Sequence, residues 1–176
     1  QLAVFTDGAA IPEHRLQALA LELGFSASVF VFPPAGGETA RLRIFTPATE
    51  IPFAGHPVLG TAVALAIAQG LDAVELATPQ GLVPLAISHR TAASAFGRMS
   101  QPIPTVAPYD DVAPLFAALR ISGSELPVEV YDNGLPHVYV ALPSEEAVAA
   151  LRPNFGALAD LPAVLAVLSS LRDRAV

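Results

Sequence analysis

The chain's only imidazoles are His14, His56, His89 and His137, and no two of these four histidines stand at the spacing of a local metal motif. Cysteine is absent, which removes disulfides, thiolate metal ligands and a cysteine nucleophile. All nine basic residues are arginine, so there is no lysine for a Schiff base or a phosphate loop. GFSAS at 24–28 lacks the closing glycine of a nucleophile elbow, and AGGE at 35–38 reads as a turn. What remains is His56, inside IPFAGHPVLG at 51–60.

The local chemistry there is specific. Pro57 has no N–H and is pre-set for the first helical position, which puts His56 at or beside the N-cap. Gly55 lets a ligand approach the backbone closely. The free N–H groups of a first turn sit at the positive end of the helix dipole and suit an anion such as a carboxylate. The helix that follows carries Val58, Leu59, Ala62, Val63, Leu65, Ala66 and Ile67, apolar on every face, as in the centre of a domain. Two readings of His56 follow from the spacing: a histidine that caps the helix or bonds within the core, or a group that exchanges protons near neutral pH beside bound negative charge.

The elements that must position this stretch are legible in outline. Strands are expected at 2–6, 28–32, 40–46, 73–78, 82–88, 128–132 and 137–142. Helices are expected from Pro12 to Leu23, over 57–69, over 112–120 behind Asp110 and Asp111, over 145–151 behind Ser144, and from Pro162 onward. QPIPTVAP at 101–108 holds three prolines in eight residues and reads as a stiff connector. The expected domains are therefore 1–104 and 105–176. The strand at 2–6 with its turn and helix is faintly echoed by HVYVAL at 137–142, Pro143 and the helix over 145–151.

Composition narrows the function classes. The chain has 176 residues, 53% hydrophobic and 14% charged, with a net charge of −7. The sequence pI is about 4.9, and no basic footprint argues for nucleic acid. No apolar run reaches the length of about 18 residues that a membrane span needs. QLAVFTDGAA has no basic start or long apolar core, so no signal sequence is expected and the expected location is cytoplasmic.

FTPATEIPFAGHPVLGTAVAL at 45–65 closely resembles the signature of the phenazine-biosynthesis PhzF-like isomerase family, relatives of diaminopimelate epimerase. QLAVFTDGAAIPEHRLQALALELGFSASVFVFPP resembles the family's opening strand, first helix and second strand, and DNGLPHVYVALPSEEAVAALRP resembles the start of its second domain. The resemblance implies an α+β fold of the diaminopimelate epimerase kind. Its domain is a curved, mostly antiparallel sheet around a central helix, here followed by part of a second similar domain. It also implies an active site between two such domains and proton transfer within a small anionic metabolite. Neither metal nor organic cofactor is implied, and a homodimer is. Gly55 and His56 match the family's Gly-His pair; His56 would be catalytic and Gly55 would bind substrate. Ser26, Ser28 and His137 join Gly55 as substrate-binding candidates, each equally open to a structural reading.

Two departures qualify that expectation. The family's acid/base glutamate sits in a Ser-Glu-Ser or Ser-Glu-Thr triplet, and this chain has Ser26-Ala27-Ser28. Ala27 thus holds the acid/base position with a methyl group. Glu50 fits the family pattern as a residue that holds the loop together. Nothing in 154–176 matches the family's second acidic motif, so the expectation includes a chain cut short of a longer gene. The functional readings are then a PhzF-like isomerase impaired by Ala27, or a non-catalytic small-molecule-binding or assembly protein of the same fold.

Overall fold

A computed structural model describes residues 1–161 and, as backbone, 164–169. The strands are β1 (Leu2–Phe5), β2 (Ala27–Phe32), β3 (Ala40–Phe45), β4 (Glu50–Ile51), β5 (Ala73–Thr78), β6 (Gly81–Ser88), β7 (Phe96–Met99), β8 (Thr105–Pro108), β9 (Glu129–Asp132), β10 (Pro136–Leu142) and β11 (Val164–Ser169). The helices are α1 (Leu16–Leu23), α2 (Gly55–Gln69), α3 (Val112–Leu119), α4 (Glu145–Ala149) and α5 (Phe155–Ala159). Two compact units emerge: Gln1–Ile103 with Asn133–Leu135, and Pro104–Asp132 with the chain from Pro136 on. Sequence reading assigns 133–135 to the later domain, whereas the structure places these three residues with the first unit.

In the first unit the sheet runs β1-β2-β3-β5-β6-β7, with β4 also paired to β3. β1/β2 and β3/β5 are parallel; β2/β3, β3/β4, β5/β6 and β6/β7 are antiparallel. Strand alternation decides what each face meets. On β2, Val29 and Val31 join the core around α2, whereas Phe30 joins Leu16, Ala20 and Phe45 on the α1 side. Phe30 stacks on Phe5 at 4.7 Å between ring centroids and meets Phe45 edge-on at 5.4 Å. α2 packs against β1, β2, β5, β6 and β7, which is why it has no polar face. Gly70 ends it in the left-handed conformation, its N–H bonded to Ala66 O at 2.9 Å.

The second unit has the strand order β11-β10-β9-β8, with Leu115 and Leu119 of α3 packed with Val138, Val140 and Leu142. Ser144 caps α4 by accepting the Ala147 N–H at 3.2 Å, and its hydroxyl holds the Glu146 carboxyl below the usual range.

Three expectations change. The tail expected to be a helix from Pro162 is a strand over Val164–Ser169, parallel to β10; Pro162 itself and 170–176 lie outside the described residues. VLAVLS is apolar almost throughout, so periodicity alone does not separate strand from helix, and β10 offers an edge to pair. Within the expected connector, 105–108 forms β8, where Pro108 is tolerated because β8 is the sheet's edge. The first helix starts later than Pro12: Glu13–Arg15 form a 3-10 turn before α1. No helix among the described residues is long and apolar enough to cross a membrane.

Candidate functional site at the head of α2

The N-cap of α2 is Ala54, in extended conformation at φ −154°, and no side chain caps the helix. Gly55, His56 and Pro57 are its first three residues, so Pro57 stands two places later than the sequence suggests. The shift costs nothing, because no N–H of the first turn has an intrahelical acceptor and a proline is tolerated throughout it. The ladder begins with Val58 N–H donating to Ala54 O at 3.3 Å. The Gly55 and His56 N–H groups therefore point out of the helix end uncapped. His56 is exposed, while Pro57 and Val58 directly behind it are buried. The helix body is core and its mouth is at the surface.

Ala27 is 1% exposed and begins β2. Its parity with Val29 and Val31 turns its methyl to the α2 face. Its parallel partner on β1 is Leu2, whose Cδ2 fills the notch at Gly60, 2.5 Å from where a β-carbon on residue 60 would stand. Ala27 is thus one strand from the second turn of α2. Ser28 has the opposite parity, with Phe30, and is fully buried. Its hydroxyl faces away from α2 and has no hydrogen-bond partner among the described residues. Ser26 is exposed and donates to Gln1 O at 2.8 Å. Removing the unpaired hydroxyl in Ser28→Ala is expected to leave ligand binding unchanged and to stabilise the fold by up to about 1 kcal/mol. A fall in the thermal midpoint would show that the hydroxyl has a partner in solution.

Two further segments of this unit border the helix mouth. Met99 Cε and Gln101 Oε1 lie 3.5 and 3.6 Å from where a β-carbon on Gly55 would stand. Asn133 Nδ2 donates to Pro102 O at 2.9 Å, and Gly134 packs on Pro52 and Phe53. Sequence reading passes over Gln101 and Asn133 because the prolines around Gln101 dominate that stretch. Glu50 is engaged elsewhere: both its oxygens accept from Arg43 at 2.7 Å, and Arg43 also meets Glu13 at 2.8 Å. The bond to Glu50 is the main reason the Arg43 guanidinium is held more firmly protonated than usual. That pair reinforces the pairing of β3 with β4, the short strand that precedes α2.

His137 lies in the second unit on β10, opposite Tyr131 of β9, with its ring 6.4 Å from that of Tyr139. His14 is exposed in the 3-10 turn, and His89 is exposed in a turn at φ +51°. Among the described residues no group of three or more His, Asp or Glu side chains is placed to hold a metal ion.

A curled mixed sheet wrapped on one apolar helix, with a second sheet following, is the α+β architecture of the diaminopimelate epimerase-like fold. Solved structures share it. A Pseudomonas aeruginosa protein described as a predicted epimerase matches with a TM-score of 0.79 and 30% identity, over 95% of this chain and 63% of its own. A PhzF-family phenazine biosynthesis protein from Bacillus anthracis gives 0.74 at 22% identity, over 98% and 62%. The model of the PhzC-PhzF phenazine biosynthesis-like proteins matches residues 1–174, and the chain belongs to that family. Among its relatives is the trans-2,3-dihydro-3-hydroxyanthranilate isomerase of Pseudomonas aeruginosa, 45% identical over 92% of this chain and 58% of that protein. The isomerase of the same name from Pseudomonas fluorescens is 42% identical over 90% and 57%. The chain thus spans a little under three-fifths of the length of these relatives.

Proposed function

We propose that the head of α2 binds the anionic group of a small metabolite and that His56 handles a proton on it, as part of a PhzF-type isomerase. The observation that carries this reading is the uncapped first turn, with two outward N–H groups beside an exposed imidazole. In such a reaction a proton leaves one carbon of the substrate and a proton is returned at another, so atoms balance without a co-reactant. The relatives' names make 2,3-dihydro-3-hydroxyanthranilate the first candidate substrate. On this reading the protein works in the cytoplasm as a homodimer, with neither metal nor organic cofactor, and Gly55 and Ser26 border the bound anion.

One observation favours a second reading. The Ala27 methyl can neither take nor give a proton, so the same site can bind the metabolite without turning it over. Deuterium exchange separates the two. Incubation with the candidate substrate in deuterated buffer is expected to place solvent deuterium in the ligand slowly, and His56→Ala is expected to cut that rate about 100-fold or more. Tight binding with no deuterium entering the ligand supports the binding protein instead, and absence of binding defeats both. Because His56 is exposed and its side chain has no hydrogen bond among the described residues, His56→Ala should leave the thermal midpoint unchanged within about 2 °C.

A further inference from the structure

α3, in the second unit, ends on Arg120, whose backbone stands in the left-handed conformation at φ +59°. α1 and α2 end in the same conformation on Gly24 and Gly70, and glycine adopts it freely. An arginine there costs conformational free energy that a glycine would not. Helix termination therefore does not account for the side chain at 120. The loop that follows is braced against β10 and α3. Ile121 N–H donates to Phe116 O at 3.1 Å, and Glu125 N–H donates to Ala141 O at 2.8 Å. Ser124 Oγ accepts from Ala141 N–H at 3.0 Å and from Leu126 N–H at 3.4 Å.

This loop borders a cavity of about 620 Å³. Arg120, Ser124 and Glu125 bring polar groups to its lining, and Ile121, Leu142 and Ala147 bring apolar surface. Its size falls in the range of about 300–1,000 Å³ that takes a small molecule. Arg120 and Glu125 carry opposite charges, yet neither has an ion pair or a side-chain hydrogen bond among the described residues. They line one cavity without meeting each other. The Ser124 oxygen serves two backbone N–H groups, and its own O–H has no acceptor among the described residues. A guanidinium, a carboxylate and a hydroxyl donor thus stand unpaired around one space with an apolar floor.

We propose that this cavity binds a free α-amino acid with an apolar side chain, its carboxylate on Arg120 and its ammonium on Glu125. The Ser124 O–H donates to the same carboxylate, and the ligand's side chain lies on Ile121, Leu142 and Ala147. Charge selects this class of ligand. A simple anion would be held by Arg120 but repelled by Glu125, and a simple cation would meet the reverse. A ligand that carries both charges on adjoining groups is attracted at both ends. The end of a polypeptide brings only one of the two, which points to the free amino acid. Every residue named belongs to the second unit, so the proposal stands apart from the reading of the α2 head.

The test is calorimetric titration of the 176-residue chain with L-leucine, 4-methylpentanoate and 3-methylbutylamine; the last two each keep one of leucine's charges. Leucine is expected to bind about tenfold or more tightly than either. Arg120→Gln and Glu125→Gln are each expected to weaken leucine about tenfold. Glu125→Gln should leave 4-methylpentanoate unchanged or strengthen it, because a repelling carboxylate is gone. If that variant weakens both ligands alike, Glu125 has a structural role and the proposal is overturned. Equal binding of leucine and 4-methylpentanoate would describe a plain anion site and overturn it too, as would no binding of leucine. Arg120→Gly is expected to lose leucine binding while raising the thermal midpoint by about 2–4 °C, since the left-handed strain is relieved. A midpoint that does not rise would show that the arginine side chain supports the fold, and the proposal would fall.

Discussion

If the head of α2 works as proposed, Ala27→Glu is expected to raise deuterium exchange into the candidate substrate by about 100-fold or more, because it adds a proton carrier at this position. Position 27 is oriented to do so, since it shares the α2 face with Val29 and Val31 and is one strand from the second turn of α2. It is also 1% exposed, so a carboxyl placed there is desolvated and its pKa pushed above the ordinary glutamate value, toward the range where an acid works near neutrality.

The same shift makes the variant's stability depend on pH. With the folded pKa above the unfolded one, the folded state holds the proton across the window between them. The variant is therefore closest to the parent below about pH 4 and loses stability as pH rises from there through the folded pKa. Thermal midpoints relative to the parent should be lower at pH 8 than at pH 5. Ala27→Gln adds the same bulk without a titratable group, so it should show neither the pH trend nor the exchange. Equal exchange in the Glu and Gln variants would end the idea that this position carries the missing acid.

Gly134→Ala is expected to cost about 2–4 kcal/mol of stability, read from urea unfolding. Two penalties combine. The backbone is at φ +95°, a conformation L side chains rarely adopt. The new methyl would also stand 3.0 Å from Phe53 Cβ and 3.3 Å from Phe53 N, and a backbone atom does not swing aside as a side-chain tip does. Gly70→Ala is the internal comparison: its φ is +72° but nothing lies within 4 Å, so only the conformational term, about 1 kcal/mol, applies. If the two variants cost the same, the packing of Gly134 on Phe53 contributes nothing.

Where one face of an element is dry and the other wet, the sequence reads well. β6 alternates from Leu82 to Ser88 with Val83, Leu85 and Ile87 buried, and its pattern is visible in the residues alone. α2 is equally legible, since only a central helix tolerates such a run. The tail fails for the opposite reason: Val164–Ser169 is apolar at almost every position, so nothing local distinguishes the edge of β10 from a helix. β4 and β7 also escape notice. β4 has two residues, and β7 reads FGRM, with a glycine that exists to admit Leu59 and no strand-forming excess.

The residues by themselves determined the chemistry in stock: no thiol, no amine side chain, four imidazoles, and an alanine where the family resemblance places an acid. They also determined the family and the central helix, because both are written in contiguous stretches. Only the tertiary structure decided which of two adjacent residues faces that helix, giving Ala27 to the α2 side and Ser28 to the buried far side. It alone carried Asn133–Leu135 back to the first unit and set Gln101 over Gly55. These placements depend on strand register and on contacts between residues about 30–80 positions apart, and packing, not local preference, selects among them.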